Sequence, residues 1–509
     1  YLGLHALQHR GQESAGIAVT DGRRIDSHKG MGLVADVFDE GVISALRGNA
    51  AIGHVRYSTF GSSQLVNAQP LVVRSFRGGL ALAHNGNLVN AAELRRSLEE
   101  QGSIFQTSVD TEVLPHLIAR YGKDGLEEAI ASALAQVRGG YALVILTEKR
   151  LMGVRDPGGI RPLSLGRLGS RYVLASESCA FDAIGAEFLR DVSPGELVVV
   201  DDDGLHSIQA LPPAPEALCI FEYIYFARPD SNLRGVNVHA ARKQLGRRLA
   251  REYPVEADLV TGVPGASISA ASGFAEEAGI PYEVGLVKNR YVGRTFIQPS
   301  QELRAFGVKI KLNVLKKVVE GKRVVLVDDS IVRGTTSRHI VRMLREAGAR
   351  EVHLRIASPP YRYPCYYGID TSQSGQLIAA TRKVEEIAHH VGADSLHYLS
   401  VESLAEAVGS AGTVGTAGTG EKGETGEKGP PQNGGSAGPP GRPAPASRAG
   451  SPRPSGRAEA GMPGPAGRAG FCLACFDGHY PVAVEGTAAR FFWEGEDRPW
   501  TPGGGGGES

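Results

Sequence analysis

Apolar positions along this chain follow two rhythms, and the change falls near residue 210. Before it, short β-rich runs such as Ala51-Ile-Gly-His-Val-Arg-Tyr57, Leu80-Ala-Leu-Ala-His84, Ala142-Leu-Val-Ile-Leu146 and Leu197-Val-Val-Val200 are set among glycines. Helical periods interrupt them at 90–101, 111–121 and 125–137. Strands in clusters with helices between the clusters predict α+β layers. From about 240 to 400 the alternation is regular: strand 258–263, helix 268–279, strand 282–287, strand 323–328, helix 336–347, strand 351–357. Continuous apolar strands separated by helices predict a parallel, doubly wound α/β sheet buried on both faces. Residues 1–8 already read as the interior of a helical pattern, and with Tyr rather than Met in first place the true start is expected upstream.

The pattern fails altogether over 409–470, where 18 glycines and 10 prolines occupy 28 of 62 positions and no aromatic, Leu or Ile occurs. Such a stretch cannot bury enough apolar surface to offset its ordering entropy, which predicts a disordered linker. A triplet register at Gly420, Gly423, Gly426 and Gly429 breaks at Gln432, too short for a collagen helix. A short tail, 471–509, follows. With 55 basic and 55 acidic residues, bulk charge gives no reason to expect nucleic acid or an anionic membrane as partner. No run approaches the roughly 18 to 20 apolar residues of a membrane span. Five scattered cysteines are no disulfide framework, and a reducing, cytoplasmic location is expected.

The sharpest local chemistry is Val324-Val-Leu-Val-Asp-Asp-Ser-Ile-Val-Arg-Gly-Thr-Thr-Ser337: a buried-type strand, two acids at its carboxyl end, then a turn that opens a helix. Ligands of open α/β sheets bind at that end, and a helix start offers free N–H groups to a phosphate. Arg333, Gly334, Thr335, Thr336 and Ser337 would form the cradle, with Asp328 and Asp329 placed for sugar hydroxyls or Mg²⁺. The plainer reading is that these side chains only cap a helix. The run resembles the ribose-phosphate motif of type I phosphoribosyltransferases, whose substrate is 5-phosphoribosyl 1-diphosphate (PRPP). That resemblance puts Gly262-Val-Pro-Gly-Ala-Ser267 at the diphosphate loop and adds Ser267 to Asp328 and Asp329 around the metal. Gly265 is a departure, since an acid commonly follows the proline there. Lys288-Asn-Arg-Tyr-Val-Gly-Arg-Thr-Phe296 reads either as a solvated basic loop or as a cationic flap, with Lys288 and Arg290, closing over the diphosphate.

The first half carries Gln8-His-Arg-Gly-Gln-Glu13, Gly53-His-Val-Arg-Tyr57, Ala83-His-Asn-Gly-Asn87 and Thr107-Ser-Val-Asp-Thr-Glu112. Together they resemble the glutaminase domain of N-terminal-nucleophile amidotransferases. The resemblance implies that Arg56 holds the α-carboxylate of glutamine, Asp110 its α-amino group, and Asn85 with Gly86 the tetrahedral oxyanion. The family's nucleophile, an N-terminal cysteine, is absent, and the chain as printed is expected not to hydrolyse glutamine. Cys179 reads as a small buried residue rather than a substitute.

Both halves in this order, joined by Phe221-Glu-Tyr-Ile-Tyr-Phe-Ala-Arg-Pro-Asp-Ser231, resemble the glutamine PRPP amidotransferases that open purine synthesis. The implied fold is an α+β glutaminase domain at 1–210, an α/β phosphoribosyltransferase domain at 211–408, the linker at 409–470 and a C-terminal segment at 471–509. Implied too are Mg²⁺, a homotetramer, and feedback inhibition by purine nucleotides. Cys219, Cys365, Cys472 and Cys475 match the positions that hold a [4Fe-4S] cluster in the Bacillus-type branch, although four thiolates by spacing alone suit a cluster or a zinc ion. The rival from another class is a non-catalytic sensor of PRPP or nucleotides, with the thiolates as a redox gauge.

Overall fold

The computed structural model describes residues 1–58, 61–75, 78–121, 125–289, 312–371, 374–411 and 470–484. The first half holds a six-stranded antiparallel sheet, in the order Gly204–Gln209, Glu196–Asp201, Leu151–Arg155, Gly139–Thr147, Gly78–Leu88, Leu71–Ser75. A three-stranded sheet in the order Ile25–Met31, Ser14–Thr20, Ala50–Arg56 packs against it. The period-2 alternation explains the layering. Leu82, Tyr141, Leu143 and Ile145 face the helices Ala91–Glu100, Val113–Tyr121 and Leu126–Leu134. Ala81, Ala83 and Leu146 face Ala18 and Ile52 of the other sheet, and the small side chains there let the two sheets approach. The three helical periods read from the sequence are thus present, each shorter by a few residues at its ends.

The second half is a parallel sheet in the order Leu259–Gly262, Arg323–Asp328, Glu351–Ile356, Ser395–Tyr398. Val325 and Val327 face one helical layer, with Leu245, Phe274 and Leu404. Val324 and Leu326 face the other, with Ile340, Leu344 and Ile387. Burial on both faces is why this strand reads as one continuous apolar run. The expected strand at 282–287 is different in the structure. Tyr282 makes a single parallel bridge to Val260, and Leu286–Lys288 then pairs antiparallel with Leu312–Val314, outside the main sheet. Gly285 N donates to the Thr261 hydroxyl at 2.9 Å instead of entering a ladder, which ends the strand before it starts.

The helix Val401–Ala411 runs past the boundary expected at 408. Residues 412–469, most of the expected linker, lie outside the described residues, as does the tail beyond 484. Phe471–Cys472 pairs in parallel with Leu218–Cys219, the segment between the two halves.

Candidate active sites

The residues expected to bind glutamine meet at the tip of the strand Gly78–Leu88. Asp110, 6 % exposed, follows a short turn back to it: Oδ2 accepts from Leu88 N at 2.9 Å, and Oδ1 from Thr111 N at 2.8 Å. Arg56 ends the strand Ala50–Arg56, is buried, and donates from Nη1 to Ser62 O at 3.2 Å. Burial lowers its pKa, while Glu13 and Asp110 act in the opposite sense. Glu13 also accepts from Ser58 N (3.1 Å), the Ser63 hydroxyl (2.9 Å) and the Ser58 hydroxyl, and so shapes the turn that follows Arg56.

Asn85 presents one end of its carboxamide to Arg161, whose Nη2 donates to Oδ1 at 3.2 Å. The other end, Nδ2, is buried with no partner. An unmatched buried donor is costly in the resting protein and is what a developing oxyanion needs. Gly86 has φ 141°, and a Cβ there would lie 2.0 Å from Gly140 O, so only glycine fits beside Asn85. Behind the strand tip, His54 Nε2 donates to His84 O at 3.0 Å, and burial pulls the pKa of both histidines down, His54 to about 3. Cys179 is likewise buried, and burial followed by Glu177 pushes its thiol up to about 12, which suits no nucleophile.

In the second half, Asp328 closes the strand Arg323–Asp328, and Asp329 follows it. The Ser267 hydroxyl donates to Asp328 Oδ1 at 3.1 Å and Asp329 Oδ2 at 3.4 Å, which joins the two loops expected to share a metal. Burial, then the neighbouring carboxylate, pushes Asp328 well up; burial pushes Asp329 up to about 6. Two buried carboxylates and a hydroxyl form a hard-oxygen donor set whose charge a divalent cation would offset, so the residues present fit Mg²⁺. Gly334 (φ 76°) stands before the helix Thr335–Glu346, and no side chain caps that helix or Ser267–Ala278. The capping explanation of these hydroxyls therefore fails, and the N–H groups of both helix starts are without a side-chain cap. Thr335 and Thr336 are exposed at the turn, whereas Ser337 is buried. Arg333 donates from Nε and Nη2 to Gln376 Oε1 at 2.9 and 2.6 Å. Lys288 is exposed at its strand end, and Arg290 with the rest of the basic loop lies outside the described residues.

The four cysteines expected to act together share one apolar core with Phe221, Tyr361 and Phe476. Cys219 and Cys472 are register partners in the parallel pair, and Cys475 O accepts from Arg362 N and Tyr363 N at 2.9 and 3.0 Å, close to Cys365. Burial pushes all four thiols up; for Cys475 the other three sulfurs add to the shift. Tyr367 N donates to Cys365 Sγ at 3.4 Å. Among the described residues no three His, Cys, Asp or Glu close on a single-ion centre. The four thiols lie near enough for the other three to act on Cys475, and chemically they are a soft donor set of the kind that holds an iron–sulfur cluster or a zinc ion.

Sequence reasoning quoted Arg10 and Glu222 within motifs but gave them no role. In the structure Arg10 donates to Glu222 through Nη1 at 2.9 Å and Nη2 at 2.8 Å, and also to Glu177. Glu177 takes His9 Nε2 at 2.7 Å, Arg228 N at 2.9 Å and the Ser231 hydroxyl at 2.8 Å. Glu177 and Glu222 are wholly buried, so this charge network fastens one half to the other. The available signal was an acid inside the otherwise apolar Phe221–Phe226 run.

Comparison with known proteins agrees with this geometry. A glutamine amidotransferase domain matches residues 54–183, and a phosphoribosyl transferase domain matches 236–358. The amidophosphoribosyltransferase of Bacillus subtilis (strain 168) is 59% identical over 410 residues, 80% of this chain and 86% of that protein. That of Staphylococcus epidermidis is 52% identical over 411 residues, 80% and 83% of the two chains. Two solved structures align along nearly the whole length. The glutamine PRPP amidotransferase of B. subtilis complexed with ADP and GMP does so with TM-score 0.80 at 52% identity, covering 95% of this chain and 94% of that one. A structure described as the allosteric regulatory enzyme of purine biosynthesis gives TM-score 0.81 at 51% identity, covering 96% and 94%. The α+β glutaminase fold followed by the parallel-sheet phosphoribosyltransferase fold is therefore the observed one, and this chain belongs to the amidophosphoribosyltransferase family.

Proposed function

We propose that this enzyme moves ammonia from glutamine to C1 of PRPP, giving 5-phosphoribosylamine, diphosphate and glutamate: the family's N-terminal cysteine, which is not among the residues of this chain, cleaves glutamine, the residues described above bind the substrates and stabilise charge, and the ammonia passes internally from the first half to the second. The observation that carries the residue assignment is the pairing, in one chain, of an unmatched oxyanion-type donor at Asn85 with the Ser267, Asp328 and Asp329 donor set. Arg56 and Asp110 hold the two charged ends of glutamine, and Asn85 with the Gly86 backbone receives the oxyanion. Asp328, Asp329 and Ser267 hold Mg²⁺, which when bound offsets charge on the departing diphosphate. The turn Arg333 to Ser337 holds the 5-phosphate at the uncapped helix start, and Lys288 with Arg290 adds positive charge beside the diphosphate. No strong base is needed at C1, because ammonia is already a nucleophile.

The domains run 1–210, 211–408, 409–470 and 471–509, with both matched regions inside the first two. Cys219, Cys365, Cys472 and Cys475 hold a [4Fe-4S] cluster with a structural role. Purine nucleotides act as feedback inhibitors; support comes from the B. subtilis relative, which was solved with ADP and GMP. A homotetramer in the cytoplasm completes the reading. Among the described residues no helix is long and apolar enough to cross a membrane. The test against a PRPP sensor is turnover with ammonia. Full-length enzyme given PRPP, Mg²⁺ and ammonium should release one diphosphate per PRPP consumed, and none without ammonium. Saturable PRPP binding with no diphosphate release would favour the sensor.

A further inference from the structure

We infer that Arg161 is a positioning residue for the oxyanion donor Asn85, and that Glu222, from the segment leading into the phosphoribosyltransferase half, holds Arg161 to that task. The inference rests on the reading of Asn85 as an oxyanion donor.

A carboxamide can serve an oxyanion only with its N–H side forward, and nothing intrinsic to asparagine sets which side that is. A guanidinium has donors and no acceptor, so the contact from Arg161 Nη2 to Asn85 Oδ1 at 3.2 Å settles the orientation. Nδ2 is then turned away, buried and unpartnered. Arg161 is 4 % exposed and has its own anchor, with Nη2 3.4 Å from Glu222 Oε1 and its guanidinium 5.7 Å from the Phe226 ring. Glu222 is fixed in turn by both terminal nitrogens of Arg10. A separate contact braces the same strand tip from the second half. Asn87 Nδ2 donates to Tyr366 O at 2.9 Å, and a Cβ on Gly368 would lie 3.1 Å from Gly86 Cα.

The oxyanion donor is thus oriented by a residue of its own half that the other half holds in place. A shift of the 221–226 segment would free Asn85 to rotate and slow glutamine hydrolysis, while Arg56 and Asp110 would still bind glutamine. That separates a positioning role from general loss of structure, which would move binding as well.

Full-length enzyme and its Asn85→Ala, Arg161→Met, Arg161→Lys and Glu222→Gln variants should be compared in glutamine hydrolysis and in ammonia-dependent phosphoribosylamine formation. For Arg161→Met and Glu222→Gln the glutaminase kcat should fall about 10- to 100-fold with glutamine KM within about threefold of wild type, since a misplaced donor costs less than a deleted one. Arg161→Lys keeps a donor for Oδ1 and should recover about tenfold over Arg161→Met. Ammonia-dependent activity reports folding. If Glu222→Gln loses it, Arg161→Met decides, because Glu222 there keeps Arg10. An Asn85→Ala variant with unchanged kcat would overturn the oxyanion reading itself. Impairment in Asn85→Ala alone, or a raised KM at unchanged kcat in the other variants, would overturn this inference and leave that reading standing.

Discussion

Replacing Asp328 and Asp329 together by asparagine should lower ammonia-dependent PRPP consumption by at least about a thousandfold, because removal of a single preorganised charge-stabilising group commonly costs about 10²–10³ and here two go at once. The substitution keeps the shape of both side chains and leaves an oxygen to accept from the Ser267 hydroxyl. Folding should therefore survive. Stability in the absence of Mg²⁺ should hold or rise, because two carboxylates buried side by side are pushed up by burial and, at Asp328, by each other's charge. The two readouts move in opposite directions only if the acids serve a cation and not the fold. Activity above about a tenth of wild type would place the metal elsewhere, while a collapse in melting temperature would make the pair structural.

Cys475→Ser should strip iron and loosen the C-terminal segment together. The four thiols come from three places in the chain: Cys219 between the halves, Cys365 after the sheet strand Glu351–Ile356, and Cys472 with Cys475 beyond the long stretch that begins after Ala411. One cluster would pin all three, and because closing a chain costs entropy that grows only slowly with its length, metal–thiolate bonds offset it with ease. Without them the segment 470–484 keeps a two-residue strand pairing, the Phe221–Phe476 stack at 5.6 Å, and tyrosine bonds such as Tyr480 Oη to Pro364 O at 2.7 Å. Anaerobically purified wild type should contain about four iron and about four acid-labile sulfide per chain, as a [4Fe-4S] centre requires. The variant should hold less than about one iron and lose residues 470–484 to protease faster than wild type. One zinc per chain in the wild type, or four iron kept in the variant, would contradict the assignment.

The sequence made legible what is local. The strand Arg323–Asp328, its two acids and the turn after it lie in one unbroken run, and burial on both faces of the sheet writes that run in continuous apolar residues. The β-rich runs at 80–84 and 142–146 likewise showed strands, which in the structure lie with one face toward helices and one toward a second sheet. At 282–287 the same reasoning went astray, because apolar content suggested a strand where a side chain, the Thr261 hydroxyl, takes the backbone N–H that a ladder would use. Ser337 was read into the phosphate cradle by its place in the motif, and its burial in the first turn of the helix beside Ile340 and Val341 is a feature the motif alone does not show. Arg10 and Glu222 stand 212 residues apart, and only folding shows that each neutralises the other. Asn85 was found through resemblance, whereas the group that turns its amide, Arg161, had no local mark at all.

In the proposed reaction nitrogen leaves glutamine in one half and reaches PRPP in the other without entering solvent. Full-length enzyme should be given PRPP, Mg²⁺ and glutamine labelled with ¹⁵N in the amide, with a pool of unlabelled ammonium larger than the glutamine consumed but too dilute to support turnover by itself, and the isotope in 5-phosphoribosylamine followed through a stable derivative. The account predicts product labelled close to the enrichment of the glutamine amide. Product carrying the isotope ratio of the bulk ammonium would contradict it.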